Sequence, residues 1–296
     1  MEDRNKATSD IHVSPTHVTT PYFAIYDLRH MKLRNLSSAD LDRTVWHYMA
    51  FYEFISLLTY QAVWFSNLKI LKDTYEGMIP ANLKRQLHER NQRFKAQFDT
   101  PEFHKQIDAW LDNNEEDSRE LLVVSCWFLG EKDSEQMWRD HGASDEAVAI
   151  KSTVGRLARH VLVPRDEHVS HLGLVSYVDH DNHEMTAYDT RQGCERAFLK
   201  AKRFAHEQEI RIVTLNIKTT DCVSMEGRPY TAEEVAGKNM NNFENPGLYI
   251  GVHLKELITE IVVSPDSKNW FEKLVRRIVE LKQLPVHVSR SGIGHT

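Results

Sequence analysis

The stretch that most constrains this chain is Leu121 to Phe128, which reads Leu-Leu-Val-Val-Ser-Cys-Trp-Phe, with neither a charge nor a polar–apolar alternation. A strand of that kind is covered on both faces, so it belongs at the centre of a sheet in a layered domain. Gly130 breaks the strand, Asp133 or Ser134 can cap a helix, Gln136-Met137-Trp138 continues it, and Gly142 after His141 can stop it. Glu146 to Thr153 is a second β-rich run, so the unit predicts strand, short helix, strand. Trp127, Met137, Trp138 and Val148 are expected to share one packed cluster.

Further β-rich runs lie at Thr44–Met49, Val63–Phe65 and Ile210–Leu215, with helical spacing at Ala50–Tyr60, Val154–His160 and Ser267–Lys282. This order predicts a mixed α/β (α+β) domain, a central mixed sheet flanked by helices. The closing helix shows Trp270, Leu274, Ile278 and Leu281 on one stripe. Residues 1–36 are polar and read as a flexible arm, 37–288 as one domain, and 289–296 as a tail. Within the domain, 216–246 is rich in turn residues and reads as a lid-like insertion.

A chain of 296 residues that is 41% hydrophobic has ample material for a core. The formal charge of −6 and pI near 6.2 exclude nucleic-acid binding by bulk charge alone. No apolar run approaches the ~20 residues of a membrane span, and the polar N-terminus lacks a signal-peptide core, so a cytoplasmic protein without membrane association is expected. Cys126, Cys194 and Cys222 are odd in number and widely spaced, which indicates neither a disulfide framework nor a zinc pair. Asp179, His180, His183 and Glu184 read as the polar tip of a hairpin between Leu174–Asp179 and Met185–Asp189, so no metal is expected.

Two patterns carry possible chemistry. His47-Tyr48 lies in the first β-rich run and Ser66 ends the next. Glu207 and Glu209 stand two apart where the run Ile210–Leu215 begins, and strand alternation would point both to one face. Arg196, Lys200, Lys202 and Arg203 make Gln192–Phe204, read as a helix, the most basic segment. An ordinary structural reading stands beside each: His47 as a satisfied core histidine, and the glutamates as surface partners of Lys202, Arg203 and Arg211.

Ser125-Cys126-Trp127, Met137-Trp138, His141-Gly142 and Ala147–Ile150 resemble the consensus of a prokaryotic family of unknown function. His47-Tyr48, Val63–Ser66, Asp73–Gly77, Glu207–Arg211 and Ile258–Pro265 extend that resemblance over roughly Thr44 to Pro285. The family brings no settled activity. Separately, the strand–helix–strand opening with His47 and Ser66, together with Glu-x-Glu, resembles the ADP-ribosyltransferase fold.

That second resemblance implies an enzyme that cleaves NAD and passes ADP-ribose to a macromolecule or to water, as toxins and phage-defence effectors do. It implies that His47 holds the ribose, that Tyr48 or Ser66 walls the nicotinamide pocket, that Glu209 stabilises the ribosyl cation and that Glu207 orients an unknown protein or nucleic-acid acceptor. Two alternatives remain open. One is a non-catalytic sensor or partner-binding module. The other is a nucleic-acid-directed protein that uses a basic helix over 191–211.

Overall fold

The computed structural model describes residues 31–96, 101, 102, 104, 105, 116, 119–142, 145–163, 170–184, 194–220, 222–224, 227–236 and 246–293. The chain runs β1 (Lys32–Arg34), β2 (Thr44–Ala50), α1 (Phe51–Tyr60), β3 (Ala62–Asn67), α2 (Ala81–Lys95), β4 (Leu122–Leu129), α3 (Glu135–His141), β5 (Ala147–Thr153) and α4 (Val154–His160). It continues through β6 (His171–Leu174), β7 (Ser176–Val178), β8 (Leu199–Ala201), β9 (Glu209–Leu215), β10 (Cys222–Val223) and α5 (Ala232–Ala236). β11 (Gly247–Gly251), α6 (Leu254–Leu257), β12 (Glu260–Val263), α7 (Asn269–Leu281) and β13 (His287–Arg290) complete it. The fold is mixed α/β, as the spacing predicts, with helices flanking a large mixed sheet.

Eleven strands form that sheet, in the order β1-β6-β9-β4-β2-β5-β12-β13, with β3, β11 and β10 branching from β4. Among the described residues, only β1–β6 and β12–β13 pair in parallel there. β7 and β8 form a separate two-stranded parallel ribbon. β4 is central because it is apolar on both sides. Its odd-numbered Val123, Trp127 and Leu129 join the larger core with Phe54, Leu57 and Leu58 of α1, Leu157 of α4, and Phe271, Val275 and Val279 of α7. Its Phe128 faces the other way, into a cluster with Trp46, Tyr48, Met137, Trp138, Ala147, Ala149 and Val262, while Leu122 and Val124 pack with Leu68, Phe198 and Val213.

Several expectations are corrected here. Trp127 and Val148 do not share a cluster with Met137 and Trp138, because strand alternation sends them to the opposite face. The stripe of α7 that enters the core is Phe271, Val275 and Val279, whereas Trp270, Leu274 and Leu281 are exposed. The arm read over 1–36 ends earlier, since Lys32–Arg34 pairs with β6 and Arg34 is fixed by an ion pair to buried Glu195. At the other end, β13 carries the sheet past residue 288 to Arg290, beyond the start of the expected tail. Part of the stretch read as a lid is sheet, as Cys222–Val223 pairs antiparallel with β11. The second arm of the expected hairpin, Met185–Asp189, lies outside the described residues.

Candidate functional site

On the face of the sheet opposite α1, α4 and α7, a strip of charge separates the two apolar clusters. β9 reads Glu-Ile-Arg-Ile-Val-Thr-Leu, so Ile210 and Ile212 enter the large core while Glu209 and Arg211 point to the other side. Register places Glu209 opposite Phe128 and Arg211 opposite Cys126. Glu207 does not lie on the strand. It ends a 3-10 turn (Lys202–Glu207), and Gln208 then adopts a left-handed conformation with φ 40° and ψ 50°, which turns the chain into β9. The two carboxyl groups therefore meet through a turn and not through strand alternation.

Both converge on Lys200 of β8. Its Nζ donates to Glu207 Oε2 and, at 2.5 Å, to Glu209 Oε1. Arg211 donates from Nε to Glu209 Oε2 at 2.5 Å and from Nη1 to the Ala197 carbonyl at 2.7 Å. Glu76 closes the group, with Oε1 at 3.4 Å from Lys200 and Oε2 at 2.5 Å from Arg211 Nη1. None of these five side chains is more than 8% exposed. The Glu209 peptide N–H donates to Tyr177 Oη at 2.8 Å, which ties the β7–β8 ribbon to the start of β9.

The electrostatics separate the two glutamates. Burial, the hydrogen bond to Glu209 and the negative charge of Glu209 push the Glu207 carboxyl up to about 8, against the pull of Lys200. Burial also works against ionised Glu209, yet Arg211, the hydrogen bond to Glu207 and Lys200 hold its carboxyl far below the usual range. At neutral pH the pair keeps one proton, resident on Glu207. Burial raises the Cys126 thiol despite the nearby Arg211, so it stays protonated.

The other expected residues lie elsewhere. His47 is on β2, separated from β9 by β4, and its ring packs on Trp127 at 4.8 Å on the opposite face from Glu209. Its Nδ1 is 2.9 Å from the Cys126 carbonyl. A carbonyl only accepts, so Nδ1 carries the proton; burial lowers the imidazole to about 4, leaving a neutral ring with an Nε2 lone pair. Here β2 and β3 part along one edge of β4: β2 pairs with Phe128 and Leu129, and β3 with Val123 and Val124. His47 reaches into the interval, and Ser66, opposite Val124, marks its far side. Trp46 is opposite Phe128, so His47 stands level with Trp127, three strand residues or roughly 10 Å from Val124, and it points to the face opposite Ser66, which shares the side of Val124. Ser66 Oγ accepts from Trp64 Nε1 at 2.9 Å.

Tyr48 belongs to the structural cluster: it meets Trp138 edge-on at 4.9 Å, and its hydroxyl accepts from the Ser134 peptide N–H at 2.8 Å. Tyr48→Phe is expected to lower stability by about 1–3 kcal/mol, because a partly buried donor loses its acceptor. Denaturant unfolding measures it; an unchanged midpoint would refute the structural role.

The basic helix expected over 191–211 is replaced, among the described residues, by a 3-10 turn (Glu195–Phe198), β8 and a second 3-10 turn. Arg211 is fully buried and Arg203 is held by Asp73, so a continuous positive face through Arg211 is excluded. Sequence reasoning missed Lys200 and Glu76 as partners. Neither carried a local signal: Leu199-Lys200-Ala201 is built of helix-favouring residues although it forms a strand, and Glu76 stands in a turn far along the chain from β9. Among the described residues no group of three or more His, Cys, Asp or Glu is placed to hold a metal ion, and no helix is long and apolar enough to cross a membrane.

No family model, curated protein or solved structure matches this chain.

Proposed function

We propose that this chain is a non-catalytic ligand- or partner-binding module, in which the Glu-x-Glu pair is an internal charge node and the parting of β2 from β3 is the receiving feature. The observation that carries the proposal is that both carboxylate oxygens of Glu209 are already engaged, Oε1 by Lys200 and Oε2 by Arg211. A carboxylate that stabilises a ribosyl cation must face the reacting carbon with its charge uncompensated. Here two buried cations compensate it. Around the parting, Ser66, Trp64 and Cys126 on one face and His47 on the other are half-buried in strands that are otherwise mostly buried, and His47 offers an acceptor.

An NAD-cleaving, ADP-ribosyltransferase-like enzyme is the second reading. It is favoured by the divergent protonation of Glu207 and Glu209, a pattern that acid–base sites use. It requires Glu209 to exchange its cations for substrate.

Incubation with NAD, with and without protein or nucleic-acid acceptors, separates the two. The binding-module reading expects nicotinamide release at the uncatalysed rate and a Glu209→Gln variant that only melts lower. Release by the parent that falls on the order of a hundredfold in Glu209→Gln, with an unchanged melt, would replace this reading with the enzyme.

A further inference from the structure

We propose that Glu207 is a proton-controlled latch: with its carboxyl protonated it holds the segment Lys202–Gln208 down over Lys200 and Glu209, and on losing that proton it releases the segment.

The first support is the charge count. Lys200 and Arg211 supply two positive charges, and Glu76, Glu207 and Glu209 supply three negative ones when all are ionised. Fully ionised, the group would bury one uncompensated negative charge, a state that proteins avoid by binding a proton or by exposing the group. One proton makes the group neutral. Glu76 and Glu209 are fixed on the turn after β3 and on the central strand β9. Glu207 alone sits on an irregular segment that can leave.

The second support is how that segment is attached. Lys202, Arg203, Ala205, His206 and Gln208 are exposed and Phe204 is half-buried; Glu207 is the one buried side chain of the stretch. Its C-terminal end is fixed, as the Leu129 peptide N–H of β4 donates to the Gln208 carbonyl at 3.0 Å, and the side-chain ties before it are at the surface. Arg203 pairs with Asp73 at 3.2 Å while being 61% exposed, and His206 meets Asp140 at 3.0 Å, an ion pair only while the imidazole is protonated. Phe204 stacks under both Lys200 and Arg203 at 4.8 Å. Gln208, a non-glycine residue in the left-handed region, gives the segment a strained joint at its C-terminal end.

Other charged and titratable groups face Glu207 from each packed element. β8 gives Lys200, β9 gives Glu209 and Arg211, and the turn after β3 gives Glu76. β4 adds the protonated Cys126 thiol, β7 adds the Tyr177 hydroxyl raised by burial, and α3 adds His141 near Glu209 and Lys200, with Lys72 beyond it. None of them carries the extra positive charge on an adjoining buried atom that would let Glu207 ionise in place. Its titration near 8 puts the change within the neutral to mildly alkaline range. The inference does not rest on the ligand reading above.

Hydrogen exchange of residues 202–208 from pH 6.5 to 9, corrected for the intrinsic rise with hydroxide, tests it. The parent is expected to gain at least about tenfold in opening, as one buried group ionising over a unit or more of pH requires. Glu207→Gln, neutral at every pH, should stay flat. An equal rise in that variant would place the responsible proton elsewhere and overturn the latch, as would a flat parent. A carboxyl-carbon titration of Glu207 in the parent keeps the test independent of how the variant folds: proton loss between pH 7 and 9 supports the latch, and loss below pH 6 overturns it.

Discussion

Arg211→Met is expected to destabilise the fold by about 3–5 kcal/mol, the cost of leaving buried carboxylates without their cation. Arg211 is fully buried, binds Glu209 Oε2 through Nε and the Ala197 carbonyl through Nη1, and stands against Glu76. Methionine fills much of the volume but supplies none of the donors. Glu209 and Glu76 would then share Lys200 alone, and one of them would take up a proton near neutrality. Denaturant unfolding gives the loss. Adding Glu209→Gln to Arg211→Met should recover part of it, since the double variant no longer buries the unpaired charge. A single variant within about 0.5 kcal/mol of the parent would show that the cluster is not part of the core.

The second large effect is a decline of stability with rising pH. The Glu207 carboxyl is raised in the folded chain from 4.5 to about 8, so between those values the native state holds a proton that the unfolded chain has released. Stability from this group is full below pH about 4.5 and falls as pH rises, by at most about 1.4 kcal/mol per unit. His47 opposes it at the acid end: held neutral down to about 4 against an ordinary 6.5, it makes stability rise over that interval. The net decline should therefore emerge above pH 6.5 and reach about 1 kcal/mol by pH 8. Glu209 acts on the acid side, where its depressed carboxyl contributes stability that is lost as pH falls below its ordinary range. Unfolding midpoints of the parent and of Glu207→Gln at matched pH isolate the Glu207 contribution. Parallel curves above pH 6.5 would mean that Glu207 is ionised in the fold.

Both measurements bear on what the charge cluster is for. They separate a charge cluster that holds the sheet together from one kept ready for chemistry. The same residues appear in both accounts, so stability and nicotinamide release must be followed in the same variants.

What the sequence determined by itself was local. The apolar run at β4 announced a central strand, Ser134 and Gly142 bounded α3, and Val154–His160 and the closing helix were legible from spacing, because caps and periodicity are set by neighbouring residues. The Glu-x-Glu stood out as a pattern, and the structure gathers five buried charged side chains around it. Tertiary structure alone decided what that charge faces. Lys200 reaches the glutamates because β8 leaves the main sheet and the chain doubles back through a 3-10 turn, and Glu76 arrives from far along the chain; neither contact follows from a local pattern. The same holds for α7, where two adjacent stripes were apolar and only docking on the sheet selected Phe271, Val275 and Val279 over Trp270, Leu274 and Leu281. Periodicity tells a chain which residues share a face, whereas the partner of that face is fixed by how distant strands and helices close on one another.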